Sequence, residues 1–150
     1  MHYKHILFAA DGSEQSRKAE KECIAFAGSI GAKVTVLHVI SHYHLHVRSW
    51  AVPKSMLSKI ETEHEEEARK SAREMVAALV KDFKASGIRC EGEVVVGEEP
   101  YAEIVRSAGN RQCDLIMMAS HGRRGIDAVL LGSETTKVLT HATVPVLVVR

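Results

Sequence analysis

Residues 119–133, from Ala119 to Ser133, read ASHGRRGIDAVLLGS. The stretch follows the apolar run Leu115 to Ala119 and leads into a segment of helical period beginning at Ser133. It is therefore a strand-loop-helix junction, and Gly122, Gly132 and Ser133 suit it to hold an anion. Small residues let the backbone come close to a phosphate. A helix start then presents unpaired N–H groups backed by the positive end of the helix dipole.

Working outward, four further apolar or β-branched runs occur at Ile6 to Ala10, Val34 to Val39, Gly92 to Val96 and Val144 to Val149. They alternate with segments of helical period, which predicts a parallel sheet with crossover helices. The first helix starts near Ser13, a favourable N-cap, and spaces Ala19, Cys23, Ala27 and Ile30 along one face before Gly31 stops it. A longer one runs from about Pro53 to Ser86, with Leu57, Ile60, His64, Ala68, Met75, Leu79 and Phe83 on one stripe and Gly87 at its end. Its Glu65/Arg69 and Glu66/Lys70 pairs form a solvated outer face. A third helix follows Pro100 through Ala102, Ile104, Val105 and Ala108; a fourth begins at Ser133 and includes Val138 and Leu139.

The fold class implied is α/β, a doubly wound three-layer sandwich with a five-stranded parallel sheet in strand order 3-2-1-4-5. Ligands of such sheets bind beyond the carboxyl ends of the strands where the strand order reverses, here between the first and fourth. That places Ala9, Ala10 and Asp11 opposite the 119–133 loop, with Val39 at the end of the second strand beside them.

One domain over residues 1–150 is expected, because a hydrophobic content of 45% suffices for one sizeable core. Lys and Arg total 20 against 19 Asp and Glu, a formal net charge of +1, so the balance points to neither nucleic acid nor an anionic membrane. The scattered Cys23, Cys90 and Cys113 fit no disulfide framework and lack the paired spacing of a zinc site, so reduced thiols and a cytoplasmic location are expected. No apolar segment has the length of a signal core or a membrane span, and a soluble, unexported chain is the expectation.

Three known phosphate-binding patterns fail on their own requirements. A Walker loop needs a Lys before its Ser or Thr, and Gly132-Ser133 has none. A Rossmann fingerprint needs three glycines in the first strand-helix turn, where only Gly12 stands. A phospho-Asp receiver needs several carboxylates converging on a metal, and the first strand ends in Asp11 alone.

The pattern that remains resembles the universal stress protein family, whose ATP-binding members carry glycine, two residues, glycine, nine residues, then Gly-Ser or Gly-Thr after the fourth strand. Gly122, the run Arg123 to Leu131, and Gly132-Ser133 match that spacing, while Ala119 stands where the pattern has its first glycine. The likeness covers nearly the whole chain: Lys4-His5-Ile6-Leu7 leading to Asp11-Gly12-Ser13, Leu37-His38-Val39-Ile40, and Val144-Pro145-Val146-Leu147-Val148-Val149. The resemblance implies that Ala9, Asp11, Val39 and Met118 lie near the base and ribose, with the Val39 backbone bonding adenine. It further implies that Gly122, Gly132, Ser133 and the Glu134 amide hold the phosphates. The Ala119 methyl is then a small obstacle that weakens binding or shifts it toward a shorter nucleotide such as AMP.

Several of these side chains have a second reading. Asp11 either caps its turn or contacts ribose or a metal-bound water. His121 either bonds nearby backbone or acts as a phosphate donor or weak base. Arg123 and Arg124 either attract phosphates or are solvated. Ser133 is an N-cap on both readings. His42, His44 and His46 alternate so that an extended chain projects them to one side, a spacing a transition metal could use, although no cysteine or carboxylate completes a site. His38 is expected as a hydrogen-bonded core residue. Trp50 is either packed on the domain, or a partner contact or lid over the crevice.

The apolar last strand, with Pro145 near its start, should lie at the sheet edge and invite pairing with a copy of itself, and the resemblance likewise implies a homodimer through that strand. The leading function is an adenine-nucleotide-binding stress or signalling module taking ATP or AMP, with or without Mg2+, and acting on an unidentified protein partner. A slow ATP hydrolase and a nucleotide-independent protein-binding dimer are the alternatives.

Overall fold

The computed structural model describes residues 2–41, 53–121 and 130–150. Its elements run β1 (His5–Ala9), α1 (Glu14–Ile30), β2 (Lys33–Ser41), α2 (Lys54–Ala85), β3 (Cys90–Gly97), α3 (Pro100–Asn110), β4 (Leu115–Ala119), α4 (Ser133–His141) and β5 (Val146–Val149). The five strands form one parallel sheet in the order β3-β2-β1-β4-β5, as the alternation predicts. Lys33 to Leu37 align with His5 to Ala9, and Leu115 to Met118 with Ile6 to Ala9.

Successive side chains on a strand face opposite ways, and the two faces are covered by different helix pairs. Ile6, Phe8, Val34, Val36, Leu115 and Met117 pack with Ala19, Cys23, Val76 and Phe83 from α1 and α2. Leu7, Leu37, Ile116 and Met118 pack with Ile104, Ala108 and Val138 from α3 and α4. The three layers follow from that division.

Helix α1 keeps its expected ends: Ser13 Oγ accepts from Ser16 N at 3.1 Å, and Gly31 takes the left-handed φ of 70° that closes the last turn. Of the expected stripe of α2 only Phe83 is fully buried, with Met75 and Leu79 partly packed against the core, while Ala72 and Val76, which are not on that stripe, are buried beside them. Ile60, His64 and Ala68 are exposed, because a helix of 32 residues is about 48 Å long and outruns the strands it covers. Gly92 makes the β3–α2 contact close, since a Cβ there would stand 2.4 Å from Val76 Cγ1.

At the amino ends of the strands, the Asp114 carboxylate accepts from the N–H groups of Lys4 at 2.8 Å and His5 at 3.0 Å. The His5 ring is buried with its Nε2 2.8 Å from Thr35 Oγ1. Burial, reinforced by the nearby Lys33 charge, holds this imidazole below its ordinary pKa. Cys23, Cys90 and Cys113 are free and buried.

Candidate functional site

The strand order reverses at β1 and β4, and the carboxyl ends there carry small residues. Ala9 pairs with Leu37 of β2 and with Met118 of β4. Ala9, Val39 and Met118 all belong to the cluster facing α3 and α4, so these three expected base-side residues share one face of the sheet. Ala119 does not. Its side chain packs in the opposite cluster with α1, so the methyl expected to obstruct a ligand is buried in the core instead.

The ladders beside β1 end in side-chain hydrogen bonds. In a parallel pair the N–H and C=O of one residue point to the same neighbour, and the direction alternates along the strand. Ala10 N donates to Leu37 O at 2.9 Å, and the next rung would run from Val39 N to Ala10 O. The Ala10 carbonyl instead accepts from His38 Nδ1 at 2.7 Å. His38 is thus hydrogen-bonded as expected, but half-buried and placed at the end of the ladder. On the other side, the buried Thr135 hydroxyl donates to Ala119 O at 3.1 Å. Between these two closures β1 turns away through Asp11 and Gly12.

That turn is held locally. Asp11 Oδ1 accepts from Ser13 N at 2.9 Å, Ser16 Oγ lies 3.3 Å from Asp11 N, and Gly12 has φ 76°. The turn-capping reading of Asp11 is therefore realised, through one carboxylate oxygen.

The 119–133 loop is pinched at its base. Gly132 N donates to Ser120 O at 2.8 Å. A Cβ on Gly132 would lie 3.1 Å from His121 Cα and 3.4 Å from Ser120 O, so close approach rather than backbone conformation favours glycine here, its φ of −61° being open to any residue. Ser120 is buried and its Oγ stands 2.9 Å from His121 Nδ1, so this ring bonds a neighbouring hydroxyl rather than backbone.

The N-cap of α4 is Gly132, which corrects the assignment to Ser133: Gly132 has extended ψ 155°, and Ser133 is already the first helical residue. Glycine brings no capping side chain, so the first-turn amides of Ser133, Glu134 and Thr135 rely on something other than their own N-cap. Helical bonding resumes with Thr136 N to Gly132 O at 3.0 Å. The Glu134 side chain is turned elsewhere. Its Oε2 accepts from Tyr101 N at 2.9 Å, capping α3 from outside, and its Oε1 is 3.3 Å from Lys137 Nζ. Sequence reasoning missed this carboxylate cap and the Thr135 bond, and neither has a local sequence signal because both partners are distant along the chain.

Gly122, Arg123 and Arg124 lie outside the described residues, as do His42, His44, His46 and Trp50. Among the described residues no three His, Cys, Asp or Glu side chains gather as a metal site. Among them too, no helix is long and apolar enough to cross a membrane.

A doubly wound five-stranded parallel sheet in the order β3-β2-β1-β4-β5, its strand order reversing between β1 and β4 and helices covering both faces, defines the class as an α/β three-layer sandwich. The family model described as "Universal stress protein family" matches residues 2–150, and the chain belongs to that family. The universal stress protein MJ0577 of Methanocaldococcus jannaschii is 33% identical, the match covering 99% of this chain and 95% of that protein. Its solved structure superimposes with a TM-score of 0.85 at 31% identity, covering 99% and 96% of the two chains. The same fold recurs in a universal stress protein solved in complex with cAMP, at TM-score 0.71 and 20% identity, covering 100% of this chain and 98% of that one. It recurs again in the Archaeoglobus fulgidus protein solved with dAMP, at TM-score 0.65 and 21% identity, with both chains covered in full.

Proposed function

We propose that this protein binds an adenine nucleotide, ATP or AMP, at the carboxyl ends of β1, β2 and β4, and works as a homodimeric stress-response module in the cytoplasm. The observation that carries the reading is the meeting of two features at one switch point. One is the apolar face shared by Ala9, Val39 and Met118, against which a flat base can lie. The other is the α4 start behind Gly132, where the amides of Ser133 and Glu134 can take phosphate oxygens. Asp11 stands at the end of β1 to meet the ribose, and Gly122, which lies outside the described residues, is assigned to the phosphates by the family spacing alone. That two proteins of this fold have been solved with cAMP and dAMP, both adenine nucleotides, supports the same ligand class. A Mg2+ ion would be carried on the nucleotide's phosphates, since the described residues offer no ligand cluster of their own.

The homodimer reading rests on β5, a half-buried, wholly apolar strand at the sheet edge. A dimer mass by light scattering at micromolar concentration is expected, and a monomer mass would refute it. Calorimetry with ATP, ADP and AMP, with and without Mg2+, tests the nucleotide reading. Heat with at least one is expected, and none for any would leave the nucleotide-independent dimer. A phosphate-release assay on the same samples separates binding from slow hydrolysis. The Gly132→Asp variant wedges a side chain against His121 Cα and sets a carboxylate at the α4 start, so binding should be lost; unchanged affinity would place the ligand elsewhere.

A further inference from the structure

We infer that His38 is a positioning residue for the nucleobase: by capping the Ala10 carbonyl it stops the β1–β2 ladder one rung early and leaves the Val39 N–H and C=O open to the ligand's base. The inference rests on the nucleotide reading above and assigns the residue that makes its base edge available.

The register supplies the reasoning. β2 runs nine residues to Ser41 whereas β1 ends at Ala9, so four residues of β2 extend past the last β1 pair at Leu37. Lys33 N bonds Lys4 O at 3.0 Å, Val34 N bonds Arg89 O at 2.9 Å, and Leu37 O receives Ala10 N at 2.9 Å. Odd-numbered residues of β2 therefore turn their polar backbone toward β1, and even-numbered ones toward β3. Val39 is odd. Its N–H and C=O face the side where β1 has ended, while Val95 of β3 aligns on its other side. A sixth rung onto Ala10 O would consume the Val39 N–H, and the His38 ring stands at that carbonyl instead, at 2.7 Å. A carbonyl only accepts, so Nδ1 of His38 carries the proton in this bond.

Half-burial of both His38 and Val39 matters to the chemistry. An amide and a carbonyl on one residue form a donor-acceptor pair, and the Watson–Crick edge of adenine offers the complementary acceptor and donor at N1 and the 6-amino group. Guanine presents the opposite order there, so an open Val39 favours adenine over guanine.

The test compares His38→Leu, which keeps bulk and loses the donor, with His38→Asn, whose side-chain amide nitrogen can occupy the place of Nδ1. Without ligand, hydrogen exchange at the Val39 amide should be fast in the unmodified protein and in the Asn variant, and slowed in the Leu variant as the extra rung closes. Calorimetry should show AMP affinity about tenfold weaker in the Leu variant, the loss of about one net hydrogen bond. It should be restored by Asn, while inorganic tripolyphosphate affinity stays within about twofold in both. Equal Val39 exchange in all three proteins, or an AMP loss matched by tripolyphosphate, would overturn the role assigned to His38. If the unmodified protein binds no AMP, the nucleotide reading fails, and the ligand-free exchange comparison still decides whether His38 holds the ladder open.

Discussion

Gly92→Ala should destabilise the protein by forcing β3 and α2 apart. The new methyl would lie 2.4 Å from Val76 Cγ1 and 3.1 Å from Val80 Cγ2, where ordinary carbon contacts fall at about 3.5–4.0 Å. Val76 is a buried, β-branched helical residue with essentially one comfortable rotamer, so relief requires α2 to retreat by about 1 Å from β3. Overpacking of this kind costs about 1–3 kcal/mol, and the gain from replacing a strand glycine by alanine offsets about 0.5–1 kcal/mol of it. A net loss of about 1–2 kcal/mol, or a Tm lower by about 2–8 °C, is expected. Val76→Ala removes the clashing methyl and leaves Cβ at 3.8 Å, an ordinary contact. On its own it costs about 2 kcal/mol through lost burial and the space left behind. Urea unfolding of both single variants and the double variant closes the cycle, and a favourable coupling of about 1–2 kcal/mol is predicted. Additivity within about 0.5 kcal/mol would refute the argument, because it would mean that the two sites do not touch.

Three further outcomes follow from other contacts. Glu134→Ala removes the cap on Tyr101 N and should cost about 1 kcal/mol, read as a Tm lower by about 2–4 °C; no change would show that the N–H finds another acceptor. His5 has a folded pKa below its ordinary 6.5, so its contribution is fully present above 6.5 and is lost as pH falls through that value toward the folded one. Thermal melts from pH 7.5 down to 5.5 should therefore show a decline that His5→Gln, which keeps a donor for Thr35 without titrating, makes shallower. Burial raises the thiols of Cys90 and Cys113 to about 11 and that of Cys23 further still, so iodoacetamide at pH 8 should label none of them quickly in the native protein and all three in denaturant. Rapid native labelling would contradict that burial.

The strand order 3-2-1-4-5 was legible in the alternation of apolar runs, whereas Ala9, Val39 and Met118 were named together through the family resemblance. That these three share one face of the sheet follows from the register of β1, β2 and β4. The glycine pattern set Ala119 beside a ligand, whereas strand alternation turns its methyl to the other face, where it packs in the cluster that includes α1. Ser133 carried the composition of an N-cap, yet the cap fell one residue earlier, at Gly132, where an added Cβ would lie 3.1 Å from His121 Cα. The buried stripe of α2 stopped short because periodicity reports which side of a helix is apolar and not how far the sheet beneath it extends.

By itself, then, the chain determined what depends on neighbours in sequence. Alternating apolar runs specify a parallel sheet, Ser13 and Gly31 bound α1, and Gly132 stands where the backbone comes close to Ser120 and His121. What only tertiary structure decided are the pairings between segments far apart along the chain. His38 takes the carbonyl of Ala10, Thr135 that of Ala119, and Glu134 the amide of Tyr101. Each of these satisfies a backbone group left over where a strand or helix ends. Which side chain reaches such a group depends on where the folded elements stop relative to one another, a quantity that no local propensity encodes.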